Sequence, residues 1–244
     1  MKRDRPQKTA ILVAQRIVDD ISEQGRQVGD RLSPERVMLE EYQVGRGTLR
    51  ESLRFLELQG VISLKPGPGG GPIVEKPDAS HLATSLILLL QFERAPFRSI
   101  LETRTALEPL MARLASQRID AERLTQLKES VTTMAQHISD QHVFLETNKS
   151  FHDIIAWGSG NTVFAYLVDA LLGILDGSVL GIDYPEHRRI TVLKRHSSIY
   201  EAIAATDGDV AEDSMRQHIA EMTRYLEKKF AATMDAPVTW SLVR

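Results

Sequence analysis

From Thr9 the chain sets apolar residues at Ile11, Leu12, Val13, Ile17, Val18 and Ile21, the spacing of an amphipathic helix that Gly25 ends. "GDRLSPERVMLEEYQ" predicts a second helix, with Ser33 as N-cap and Pro34 at the first helical position. After the break at "QVG", a third runs from about Arg46 to Gln59. Leu49, Leu53, Leu56 and Leu58 form its buried side and Gly60 its stop. "VISLK" and "PIVEK" are β-rich and flank the stretch Lys65–Pro77, which holds four glycines and four prolines. Three helices followed by a two-stranded ribbon predict a winged helix-turn-helix over residues 1–77.

That order decides what the glycine-rich stretch is for. A phosphate-binding loop ends in Gly-Lys-Ser/Thr and opens a helix, whereas this one ends in Gly71-Pro72 and returns into a strand. A plain linker has no use for the apolar "PIV" that follows. The stretch reads as a wing tip, where glycine lets backbone approach a DNA groove closely.

Beyond Pro77 the pattern is helical throughout, with breaks at "ERAPF", "SQRIDAE", "WGSGN", "GIDYPEH" and "TDGD". Six or seven helices of roughly 15 to 20 residues predict an all-α antiparallel bundle over residues 78–235, so the fold class is mainly α.

Composition then narrows the function. Hydrophobic residues make up 42% and charged residues 26% of 244, the balance of a soluble globular protein. The absence of cysteine excludes disulfides and thiolate metal sites, leaving His, Asp, Glu or Asn to hold any ion. The basic start "MKRDRPQK" is not followed by an apolar h-region, and "LILLLQF" is too short to span a bilayer. Those features predict a cytoplasmic protein with no membrane partner. Net charge is only -3, but residues 1–76 carry 13 Lys+Arg against 11 Asp+Glu and the remainder 17 against 22. The first part leans toward an anionic partner.

Two groups of residues carry chemistry. In "GRGTLRES", Arg46, Thr48 and Arg50 occupy the start of the third helix, where cations oppose the macrodipole and suit a phosphate or base contact better than a stabilising role. In the bundle, Asn148 and His152 are four residues apart and share a helix face, as do Arg104 and Glu108. His196 and His218 each lie eleven residues from Asp207, the centre of the turn between the last two helices. In an antiparallel hairpin they sit level, roughly 16 Å from the turn at about 1.5 Å per residue. A lone histidine is more often a satisfied core or surface residue, as we read His81, His137, His142 and His187. Three histidines from three helices with an amide oxygen make a divalent-metal site.

The stretch "VGDRLSPERVMLEEYQVGRGTLRESLRFLELQGVISLKPGPGGG" resembles the DNA-binding domain of the GntR family of bacterial transcription regulators, over about residues 8–76. It departs in the order of Ser33-Pro34 and in Gly45, where serine is common. By position, the resemblance implies DNA contacts at Arg36, Arg46, Thr48, Arg50 and the wing around Gly69. Residues 80–230, through "NKSFHDII" and "RHSSIYEAIAATDGDVAEDSMRQHI", resemble the FCD-type ligand-binding domain of the FadR subfamily. That resemblance implies a divalent metal, zinc or nickel, on Asn148, His152, His196 and His218, with asparagine where aspartate is usual. It also implies that Arg104 faces an effector pocket. The expected function is a homodimeric, ligand-responsive transcription regulator that binds a palindromic double-stranded DNA operator and senses a small organic acid. Two alternatives stay open at this point: a three-histidine metalloenzyme, which has no use for a winged helix, and a helical protein-interaction module, which has no use for the histidines.

Overall fold

Short-range signals bound the first three helices. In the computed structural model, which describes residues 4–67, 70–175 and 181–240, helix α1 (Asp4–Glu23) stops just before Gly25, whose φ of 62° is left-handed. Helix α2 (Glu35–Tyr42) begins one residue later than the sequence suggests, because Pro34 keeps an extended ψ of 147° and occupies the cap position. Ser33 makes no cap bond, and its hydroxyl meets Glu41 at 3.4 Å instead. Helix α3 (Arg46–Leu58) is followed by Gly60 at φ 70°. Strands β1 (Ile62–Lys65) and β2 (Gly71–Val74) pair antiparallel, Ile62 opposite Val74 and Lys65 opposite Gly71.

The chain divides into two compact units, residues 1–81 and 82–244. In the first, Leu49, Leu53 and Leu56 pack on Val13, Ala14 and Ile17, all at most 3% exposed. Ser52 ties α3 to α1 by donating its hydroxyl to the Ala10 carbonyl at 2.8 Å. Leu58, expected on the buried side, is 69% exposed. Two residues past Leu56 is about 200° around a helix, which is the opposite face. Ile11, Leu12 and Val18 of α1 also lie outside the core.

The second unit contains α4 (Ser80–Phe92, beginning at the unit boundary), α5 (Arg98–Arg118), α6 (Ala121–Gln136), α7 (Gln141–Gly158), α8 (Thr162–Ile174), α9 (Glu186–Ala204), α10 (Gly208–Lys229) and the short α11 (Ala231–Asp235). Asp120, Asn161 and Asp207 cap α6, α8 and α10 by accepting from first-turn amides, a device worth about 1 kcal/mol each. None of the breaks in the helical pattern falls between α6 and α7, so one continuous helix is expected there. A turn at residues 137–140 separates them, closed by the Asp140 carboxylate on the His142 and Val143 amides. Phe151, Ile155, Ala112, Ile199 and Met215 form the core of this unit. Among the described residues no helix is long and apolar enough to cross a membrane. The architecture is mainly α, a winged helix-turn-helix followed by a helical bundle.

Candidate DNA-binding surface and buried histidine site

The recognition helix presents an open N-terminus. Gly45 in the cap position offers no side-chain cap, and the first turn carries no acidic residue. Its uncapped amides are therefore available to an anion. Arg46 and Arg50 are exposed, Thr48 is half-buried, and Arg36 is exposed on α2. Arg50 Nε lies 3.2 Å from Glu35, an exposed pair that water screens. Gly69 lies outside the described residues. Next to it, a Cβ on Gly70 would sit 2.1 Å from the Lys65 carbonyl oxygen, so the hairpin tip leaves no room for a side chain there.

Within the bundle, side chains from α7, α9 and α10 converge. His152, His196 and His218 are at most 2% exposed, with His152 Nε2 3.2 Å from His218 Nε2 and His196 Nε2 3.3 Å from His218 Nε2. One ring nitrogen from each of the three lies within 4.8 Å of those of the other two. Asp207 caps α10 between the two hairpin histidines, and the equal spacing on either side of it brings them level. Phe151 stacks on the His196 ring at 3.8 Å between centroids and 7° between planes, which fixes that ring's tilt. Burial, and then the neighbouring imidazoles, push the His196 and His218 pKa values well below the ordinary histidine range. Both rings are therefore neutral near pH 7, the form that ligates metal.

Sequence reasoning missed the carboxylate behind this group. Glu108 of α5 is 2% exposed, with one oxygen 2.5 Å from His152 Nδ1 and the other accepting from Arg104 Nε. Burial pushes its carboxyl up, but Arg104 and His152 outweigh burial and hold it well below the usual carboxylate range. The contact places the Glu108 carboxylate behind His152 Nδ1, the position from which a carboxylate supports an imidazole that ligates metal through its other nitrogen, and His152 Nε2 faces His218. The four-residue spacing of Arg104 and Glu108 was visible in the sequence. Nothing in it pointed Glu108 at a histidine 44 positions away.

Asn148, one turn before His152 on α7, points its Oδ1 into the interior, where it finds no hydrogen-bond partner. Together with Arg104 it lines a cavity of about 220 Å3. The cavity and the histidine group are thus one helical turn apart on two helices, Arg104 to Glu108 on α5 and Asn148 to His152 on α7. His142, read as a surface residue, is exposed at the rim of this cavity and pairs with Glu146 at 3.3 Å.

A winged helix with a bare recognition-helix N-terminus, followed by a helical domain with a cavity beside a polar cluster, defines a ligand-responsive DNA-binding regulator. Comparison with known proteins gives the family. The profile of the bacterial regulatory proteins of the gntR family matches residues 10–70, and that of the FCD domain matches residues 99–221. The chain belongs to the GntR family of transcription regulators and carries an FCD domain. It is 30% identical to the HTH-type transcriptional regulator YcbG of Bacillus subtilis (strain 168), over 91% of this chain and 90% of that protein. It is 25% identical to the galactonate operon transcriptional repressor of Escherichia coli (strain K12), over 82% of this chain and 89% of that one. The solved structure of Streptococcus agalactiae GntR matches with a TM-score of 0.68 at 26% identity, covering 88% of this chain and 99% of that chain. The family and its relatives are regulators and not enzymes, so the metalloenzyme alternative is set aside. FCD domains bind metals, and the buried histidine group is able to hold one.

Proposed function

We infer that this regulator is a homodimer acting in the bacterial cytoplasm, that it binds a palindromic operator, and that it responds to a small carboxylate held next to a divalent ion. Arg46, Thr48 and Arg50 are the base and phosphate readers of α3, Arg36 supports them from α2, and the wing around Gly69 follows the adjacent groove. One recognition helix covers too few base pairs for useful specificity, so two chains bind together across half-sites about one helical turn apart.

The observation that carries the sensing half is the convergence of three buried imidazoles. The separations of 3.2 and 3.3 Å between Nε2 atoms are those of ligands sharing one ion at about 2.0–2.1 Å. His152, His196 and His218 hold the ion, zinc or nickel from the nitrogen-rich set, and the unpartnered Oδ1 of Asn148 is the fourth donor. Such an ion supplies positive charge to a pocket whose protein ligands are all neutral. With Arg104 on the cavity wall, that charge suits an anionic effector. The galactonate relative is named for a sugar acid, which is likewise a carboxylate. Occupation of the pocket shifts the packing of α5 and α7 and, through the dimer, the spacing at which the two recognition helices meet DNA.

Elemental analysis after identical purification tests the metal. Wild type is expected to hold one ion per chain, His196→Ala none, and Asn148→Asp one ion bound more tightly, because it adds a charged oxygen ligand. Equal content in all three, or none in any after incubation with zinc and with nickel, would remove the ion from the reading and leave the histidines as direct hydrogen-bond partners of the effector.

A further inference from the structure

The cavity lining around Arg104 has a composition of its own. Leu101, Leu145, Leu172, Ile182, Met222 and Leu226 surround it, drawn from α5, α7, α8, α10 and the segment before α9. Against them the inner polar groups are few. Apart from Arg104 they are Asn148, whose Oδ1 is buried, and Tyr184, which is 7% exposed. The other polar lining residues sit at the rim and already have partners. Lys149 lies 3.7 Å from Asp169, and His142 pairs with Glu146; the side chains of these three lining residues are 53–80% exposed.

Resting on the carboxylate reading above, we propose that the effector is a short acid with an apolar body, of the medium-chain alkanoate type, and not a polyhydroxylated sugar acid. Its carboxylate meets Arg104, and its chain lies along the leucine-rich wall. A sugar acid carries a hydroxyl on nearly every carbon, and each one buried without a partner loses its bonds to water. Two inner polar groups cannot satisfy such a row, and Asn148 is already committed to the ion. An alkyl chain asks for nothing but apolar surface and gains about fourfold in affinity per buried methylene. The gain has a limit, because about 220 Å3 is smaller than the ~300–1,000 Å3 of pockets that take drug-sized ligands.

Calorimetry on the wild-type full chain, nickel-loaded and metal-free, with butyrate, hexanoate, octanoate, decanoate, galactonate and 1-hexanol tests this without relying on a variant that must fold. Affinity is expected to rise about two- to fourfold per methylene, pass through a maximum once the cavity is full, and favour hexanoate over galactonate by tenfold or more. Met222→Gln, at the wall, is expected to flatten that rise. Galactonate binding as tightly as hexanoate would overturn the apolar body while leaving the carboxylate reading intact. Hexanol matching hexanoate would overturn the carboxylate reading and the proposal with it, as would a failure of every carboxylate to bind.

Discussion

Glu108→Gln is the sharpest perturbation available in the bundle, because one carboxylate serves both Arg104 and His152. The replacement keeps the shape and one oxygen but puts an NH2 where an acceptor stood, and it removes the carboxylate that, among the described residues, is paired with a guanidinium that is 7% exposed. Taking one partner from a buried ion pair costs about 3–5 kcal/mol, since the other charge is left uncompensated. For a unit of this size each 1 kcal/mol shifts the melting temperature by about 2–4 °C, so a fall of roughly 6–20 °C is expected in the helical domain. Loss of the carboxylate behind a ligating histidine weakens metal binding by about 10–100-fold. Calorimetric melting of chelator-treated protein measures the first effect, and nickel titration by competition measures the second. The double variant Arg104→Met/Glu108→Leu serves as the control. Replacing a buried pair with apolar residues of similar volume is neutral or stabilising, so the melting temperature returns while the metal affinity does not. A Glu108→Gln protein that melts within 2 °C of wild type and binds nickel as tightly would refute the reasoning on both counts.

Three further outcomes are expected. Arg50→Ala weakens operator binding by about 1–3 kcal/mol and relaxes preference at one base position, as measured by fluorescence anisotropy on a set of single-base operator variants. An unchanged preference would remove Arg50 from base reading. Gly70→Ala forces a Cβ against the Lys65 carbonyl and so distorts the wing, lowering affinity for operator and unrelated DNA alike; a loss confined to the operator would contradict the wing's backbone-tracking role. Phe151→Ala removes a fully buried ring that also holds the His196 imidazole, costing about 3–5 kcal/mol of unfolding free energy in chelator-treated protein, and a cost below 1 kcal/mol would show that the ring is not part of the packed core.

Much of the molecule is legible in its sequence. Helix phase, the stops at Gly25 and Gly60, and the hairpin around the glycine-rich stretch are encoded within a few residues, and the winged helix-turn-helix follows from their order. The pairing of His196 with His218 was also readable, because a helical hairpin preserves distance from its turn and Asp207 marks the turn by capping α10. The turn at residues 137–140 was harder, since His137, Ile138 and Ser139 contain neither glycine nor proline. Its only local signal is Asp140, and an aspartate becomes a cap only where the chain actually bends. Leu58 was misassigned for a simpler reason: its hydrophobicity outweighed its phase.

What tertiary structure alone decided concerns partners. Arg104 and Glu108 can be placed on one face by spacing, but Glu108 meets His152 because α5 packs against α7, and no periodicity within either helix contains that fact. The same holds for the cavity, whose leucine-rich wall is drawn from four helices and a connecting segment, each of which needs apolar residues for packing in any case. A sequence specifies which face of a helix is buried through local alternation of apolar and polar positions. Which buried groups touch depends on how those faces interdigitate, a property of the packed bundle as a whole.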